Sequence, residues 1–126
     1  MPTGTHEPAS VIRDDEAAAI PAVLDELTGG DADIVAEVVG HLIAANQSDL
    51  AALGRALDAQ DWPALAAAGH SIKGAARMIR LHTVVALCER IEVAASAGDD
   101  VAATVLVPQL AASLVALETV LSRPGK

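Results

Sequence analysis

The stretch AAAGHSIKGAARMIR, residues 66–80, sets a histidine, a lysine and a glycine at spacings of four and less within an alanine-rich, helix-favouring segment. On a helical wheel Leu65, Ala68, Ile72, Ala75, Ala76 and Ile79 gather on one side, a core face. His70, Lys73, Gly74, Arg77 and Arg80 gather on the other. A neutral imidazole is a competent nucleophile near pH 7. Cations beside it would favour the unprotonated ring and offset the charge of a phosphoryl group. Gly74 costs roughly 1 kcal/mol relative to alanine inside a helix. That choice implies close approach of another backbone or a bulky group beside His70. Three of the eight Lys and Arg residues of an otherwise acidic chain fall within Lys73–Arg80, a stripe an anion or an acidic partner would meet. The chemistry implied is an exposed imidazole that carries a phosphoryl group, a transfer governed by positioning and charge, for which a partner can supply the remaining machinery.

The elements that must position this face are helices. The chain is 126 residues long, which suits one domain. Its apolar residues make up 52% of the sequence without any Phe or Tyr, so Ala, Leu and Val supply a core of closely packed helices rather than strands. Residues 1–18 lack periodicity and read as a flexible linker, with the acidic tract RDDE as solvated linker. A short helix is expected from Pro21 to Leu27, stopped by Gly29-Gly30, with Asp31 capping the next. A long helix then runs to about Ala59, with a bend expected near Asn46–Asp49 where polar side chains compete for the backbone. Asp61 and Pro63 start a third helix, from Trp62 to about Ile79. A fourth runs from about Thr83 to Ala97 and is closed by Gly98. The last covers Asp100 to Leu121 with the stripe Leu110, Leu114, Leu117 and Leu121. Pro108 either kinks that helix or marks its start. Short connections predict an all-α, antiparallel up-and-down four-helix bundle over residues 19–123 with an additional short N-terminal helix.

A net charge of −9 argues against nucleic acid or an anionic membrane surface. No apolar run of spanning length and no signal-peptide core is read from the sequence, so a cytoplasmic location is expected. The single cysteine, Cys88, sits on a core stripe, and His6, His41 and His82 lack ligand spacing, so no metal site is expected.

The signature HSIKGAAR resembles the histidine–x–x–lysine–glycine motif of histidine-containing phosphotransfer (HPt) domains. LDELTGGDADIVAEVV before it, LDAQDWPALAAAGHSIKG through it, and LCERIE and AGD after it fit the same pattern over about Ala22 to Leu121. The resemblance implies a helical bundle without autonomous catalysis. It would take a phosphoryl group on His70, at Nε2, from a receiver-domain aspartate and pass it to another receiver in two-component signalling. Lys73 would offset phosphoryl charge and Gly74 would admit the receiver, with Arg77 and Arg80 flanking the contact. The implied partners are receiver domains of response regulators or of a hybrid sensor kinase. No cofactor is expected on this chain, with Mg²⁺ on the receiver. A monomer is expected, in the cytoplasm or as part of a membrane-anchored sensor kinase. The wording IKGAARMIRL resembles modules at the C-terminal end of hybrid kinases. Two departures stand out: Arg80 occupies a position where the family often has glycine, and Leu42 one where it often has phenylalanine. A helical adaptor that docks an acidic partner without phosphorylation is the alternative, and it would tolerate His70→Gln.

Overall fold

The computed structural model describes residues 9–123. They form five helices: α1 (Asp14–Thr28), α2 (Ala32–Ala59), α3 (Trp62–Met78), α4 (His82–Ala97) and α5 (Asp100–Leu121). No strand occurs among the described residues. α3 packs against α2 and, most extensively, against α4; α4 packs on α5, and α5 closes the ring on α2, while α1 lies on α2. The core draws on every helix, with Ile20, Leu53, Leu65, Ile91 and Leu110 almost fully enclosed.

Local signals explain most boundaries. The Asp31 carboxylate accepts from Asp33 N at 2.9 Å and Ile34 N at 3.2 Å, and Asp61 accepts from Ala64 N at 3.1 Å. These caps satisfy backbone donors left over at each helix start. Gly29 and Gly98 end α1 and α4 in the left-handed conformation, at φ 71° and 62°. At Gly98 the indole of Trp62 stands 3.4 Å from where a Cβ would be, in ordinary contact, so it is the left-handed backbone that calls for glycine there.

Several expectations need correction. α1 begins at Asp14, so residues 14–18 are helical rather than linker and Pro21 lies inside the helix instead of starting it. The acidic tract is the helix start: Asp14, Asp15 and Glu16 fill the first turn, where negative charge suits the helix dipole, and Glu16 accepts from Arg13 N at 3.0 Å. The part of the expected linker in residues 1–8 lies outside the described residues. α2 is continuous helix through Asn46–Asp49, where Asn46 turns inward and donates to Leu114 O of α5 at 2.7 Å. α5 likewise continues through Pro108, which therefore does not start it. By length and composition α5 could cross a membrane, contrary to the sequence reading, yet it is packed against α2 and α4 as a bundle helix.

Arg80 ends α3 at φ 63°, left-handed geometry that L side chains adopt at a cost. Its N–H bonds Arg77 O at 3.2 Å and Leu81 N bonds Ala76 O at 2.8 Å, closing the helix. An arginine thus takes a turn that glycine would adopt without strain. α4 has no cap of its own. Glu16 of α1 does that job, accepting from Thr83 N at 3.1 Å and from the Thr83 hydroxyl. Burial pushes the Glu16 carboxyl up, but the bonds from Thr83 and Arg13 outweigh it and hold it below its ordinary value.

Candidate functional site: an exposed imidazole on the α3–α4 seam

Gly69 sets the distance between α3 and α4. It is buried, and a Cβ there would stand 3.6 Å from Glu92 Cγ and 3.7 Å from both Cys88 O and Ile91 Cγ2. With Ala68 on α3 and Ala94 and Ala95 on α4 also buried, small side chains let the two helices approach closely. That approach carries the carboxylate of Glu92 up to the next residue of α3.

His70 itself points outward, its side chain 76% exposed, with Nδ1 3.5 Å from Glu92 Oε2. The other oxygen of the same carboxylate takes a 2.6 Å bond from Lys73 Nζ. Lys73 is only 13% exposed, so it lies along the seam rather than standing on the open face. One carboxylate therefore lies between the imidazole and the ammonium, hydrogen-bonded to the ammonium and facing the ring at longer range. The hydrogen bond from Lys73, with the Lys73 charge and a smaller contribution from His70, holds the Glu92 carboxyl below the usual range despite its desolvation. The charge found against the imidazole is negative, which corrects the expectation of cations beside it. A carboxylate at Nδ1 favours the tautomer that carries its proton there and leaves Nε2, the outer nitrogen, with its lone pair.

The cationic stripe is likewise not bare. Arg77 Nη2 lies 3.4 Å from Glu89 Oε2 of α4, and Arg80 Nη2 lies 2.7 Å from Glu26 Oε1 of α1. Of the five residues singled out by sequence, His70, Gly74 and Arg77 share the exposed face, Lys73 is turned to α4, and Arg80 has left the helix for the turn that follows. Gly74 is exposed, and a Cβ on it would meet nothing within 4 Å. No neighbour inside the chain requires that glycine.

On the α2 side, Ser71 Oγ donates to Asp49 Oδ1 at 3.3 Å. Desolvation raises the Asp49 carboxyl above its ordinary value, the Ser71 bond opposing it only in part. Beneath the seam Cys88 is fully buried, its thiol pushed up to about 12, mainly by burial, which makes it inert filler. Among the described residues no three His, Cys, Asp or Glu side chains converge as a metal ion would require.

Sequence reasoning missed Glu92 and Gly69. Glu92 lies within the quoted LCERIE, but only the contact between α3 and α4 brings it to His70; Gly69 adjoins the histidine and reads as one more small residue until the second helix is in place.

Searches of curated proteins and of solved structures found no match. A family model described as Hpt domain matches residues 37–123, which take in α3, α4, α5 and most of α2. The match covers well over half the chain, and the protein belongs to the Hpt domain family, whose members act in phosphorelay signalling.

Proposed function

We propose that the chain is a phosphorelay intermediate in which His70 takes a phosphoryl group from the aspartate of one receiver domain and hands it to another. The observation that carries this is the exposed imidazole whose Nδ1 faces the Glu92 carboxylate at 3.5 Å. Nε2 is then the nitrogen that reacts. Its lone pair attacks phosphorus as the P–O bond to the receiver aspartate breaks, leaving a carboxylate on the receiver and an N–P bond on His70. The ring, keeping its Nδ1 proton, becomes cationic, and Glu92 balances that charge. The reverse step restores the neutral ring. Lys73 acts through Glu92, anchoring the carboxylate in place, and also lends positive charge near the incoming phosphoryl oxygens. Glu92 and Lys73 are positioning residues on this reading, and Gly74 leaves the room a receiver needs to bring its aspartate close.

The fold that presents this site is read as an up-and-down antiparallel bundle of α2–α5 with α1 laid on α2. The chain has no catalysis of its own here: Mg²⁺ belongs to the receiver, and one copy of the bundle suffices for transfer. Arg77 and Arg80 flank the receiver contact, each tethered to a carboxylate of its own chain. The setting proposed is the cytoplasm, whether the module acts freely or within a membrane-anchored sensor kinase, with no part for nucleic acid or lipid. The adaptor alternative loses its main support, since Lys73, Arg77 and Arg80 all have carboxylate partners and offer no bare cationic stripe.

The test is to mix the chain with receiver domains carrying radioactive phosphate, with Mg²⁺ present. Label that moves to the chain, is acid-labile and base-stable, and fails to appear on His70→Gln supports the relay. No label on the folded chain from a panel of receivers contradicts it.

A further inference from the structure

α5 has two apolar faces, and the bundle uses one. Inward lie Ala103, Leu106, Leu110, Leu114, Leu117 and Leu121, all buried. Outward lie Val101, Val105, Pro108, Ala112, Val115 and Thr119, at alternating intervals of four and three. Val101, Val105 and Val115 are 77%, 57% and 55% exposed, and the stripe carries no charge. A solvent face is ordinarily polar, and a four–three alternation is the spacing by which one helix meets another along a seam. The stripe extends about 27 Å at the helical rise per residue.

We propose that this face pairs α5 with α5 of a second copy, the two running antiparallel about a two-fold axis level with the middle of the helix. Three features of the stripe and its ends select that occupant and direction. The stripe is symmetric about its centre in the sense an isologous contact requires: Val105 of one copy falls opposite Val115 of the other, and Val101 opposite Thr119. Its middle is Pro108 and Ala112, small and part-covered, which lets the two backbones come close. Its ends are charge-complementary only when antiparallel: Asp99 and Asp100 stand at the start of α5 and Arg123 just past its end, and among the described residues Arg123 makes no salt bridge. Antiparallel pairing sets each Arg123 by the acidic pair of the other copy, and opposes the helix dipoles favourably. A parallel pair would stack like charges at both ends. The contact departs from the monomer expected from sequence. It leaves His70 open, because α5 packs on α4 and α2, across the ring from α3.

Sedimentation equilibrium of the full chain over a concentration series should show a monomer–dimer equilibrium that Val105→Glu and Val115→Glu each abolish, with helix content by circular dichroism unchanged. Register is read by crosslinking. Under copper-phenanthroline, which takes the two electrons as paired thiols become a disulfide, Val105→Cys mixed with Val115→Cys should give covalent dimer. Either variant alone should give far less, and the buried Cys88 none. A monomer at every concentration, a dimer indifferent to both glutamates, or crosslinking as strong in either variant alone would overturn the proposal.

Discussion

Gly69 and Gly74 sit on the same helix, flanking the same histidine on either side, and they answer to opposite demands. At Gly69 a Cβ would already touch Cys88 O, Ile91 and Glu92 of α4 at van der Waals distance, so a larger side chain would press on them; at Gly74 a Cβ would meet nothing within 4 Å. The first glycine is explained by the chain itself, since it sets the α3–α4 distance that delivers Glu92 to His70 and Lys73. The second costs helix stability and gains nothing within the chain. The contrast teaches where the molecule ends: packing accounts for one side of α3, and on the proposed function an approaching receiver accounts for the other.

The contrast can be broken by substitution, and the largest expected effect is on the chemistry. His70→Gln should abolish transfer outright while leaving the unfolding midpoint within about 0.5 kcal/mol, as for other exposed positions. Glu92→Gln should slow transfer by about 10–100-fold, taking as a guide the loss of an outer-shell carboxylate behind a metal-bound histidine. Stopped-flow or gel-based transfer kinetics read this, and an unchanged rate would remove Glu92 from the account. Next come the glycines. Gly69→Leu should destabilise by about 1–3 kcal/mol through overpacking against α4. Gly74→Leu should leave stability unchanged or slightly higher by denaturant unfolding, yet slow transfer. A Gly74→Leu chain that transfers at the parent rate would refute the open-approach reading.

Smaller effects sharpen the picture at the ends of α3 and at the two carboxylates beside it. Arg80→Gly should stabilise by about 0.5–1 kcal/mol, because glycine takes the left-handed turn without the penalty arginine bears, and the exposed pair with Glu26 contributes little. Glu16 and Glu92, both held below their ordinary values, favour the folded state when ionised. Their contribution is present above the unfolded carboxylate range and is lost as pH falls through their lowered values. Asp49, raised by desolvation, has the opposite sign: its contribution is lost as pH rises from the unfolded value through the folded one. Asp49→Asn should therefore raise the unfolding midpoint slightly at pH 7 and cancel part of the pH dependence, as a paired thermal-melt series would show.

How much of this was legible before folding follows from the range of each signal. Asp31, Asp61, Gly29 and Gly98 act within one turn of where they stand, so the boundaries they set could be read directly. The start of α1 was misread because an acidic tract suits both a solvated linker and a helix N-terminus. The inward bond of Asn46 was out of reach because its partner, Leu114 O, lies on another helix. The site divides the same way. His70 and Gly74 were legible from composition and spacing, whereas the cations were visible without their carboxylates. Glu26, Glu89 and Glu92 become partners only when α1 and α4 are laid against α3. The outer stripe of α5 was hidden by its own apolarity, since in the sequence every position of that helix could be core.

The proposal to test is that the Glu92 carboxylate, facing Nδ1 at 3.5 Å, leaves Nε2 of His70 to take the phosphoryl group. It is tested most directly by nitrogen-15 and phosphorus-31 NMR of histidine-labelled chain phosphorylated by a receiver domain. The account predicts one phosphohistidine among the four histidines, bonded at Nε2 and absent from His70→Gln. Phosphate at Nδ1, on another histidine, or on none would contradict it.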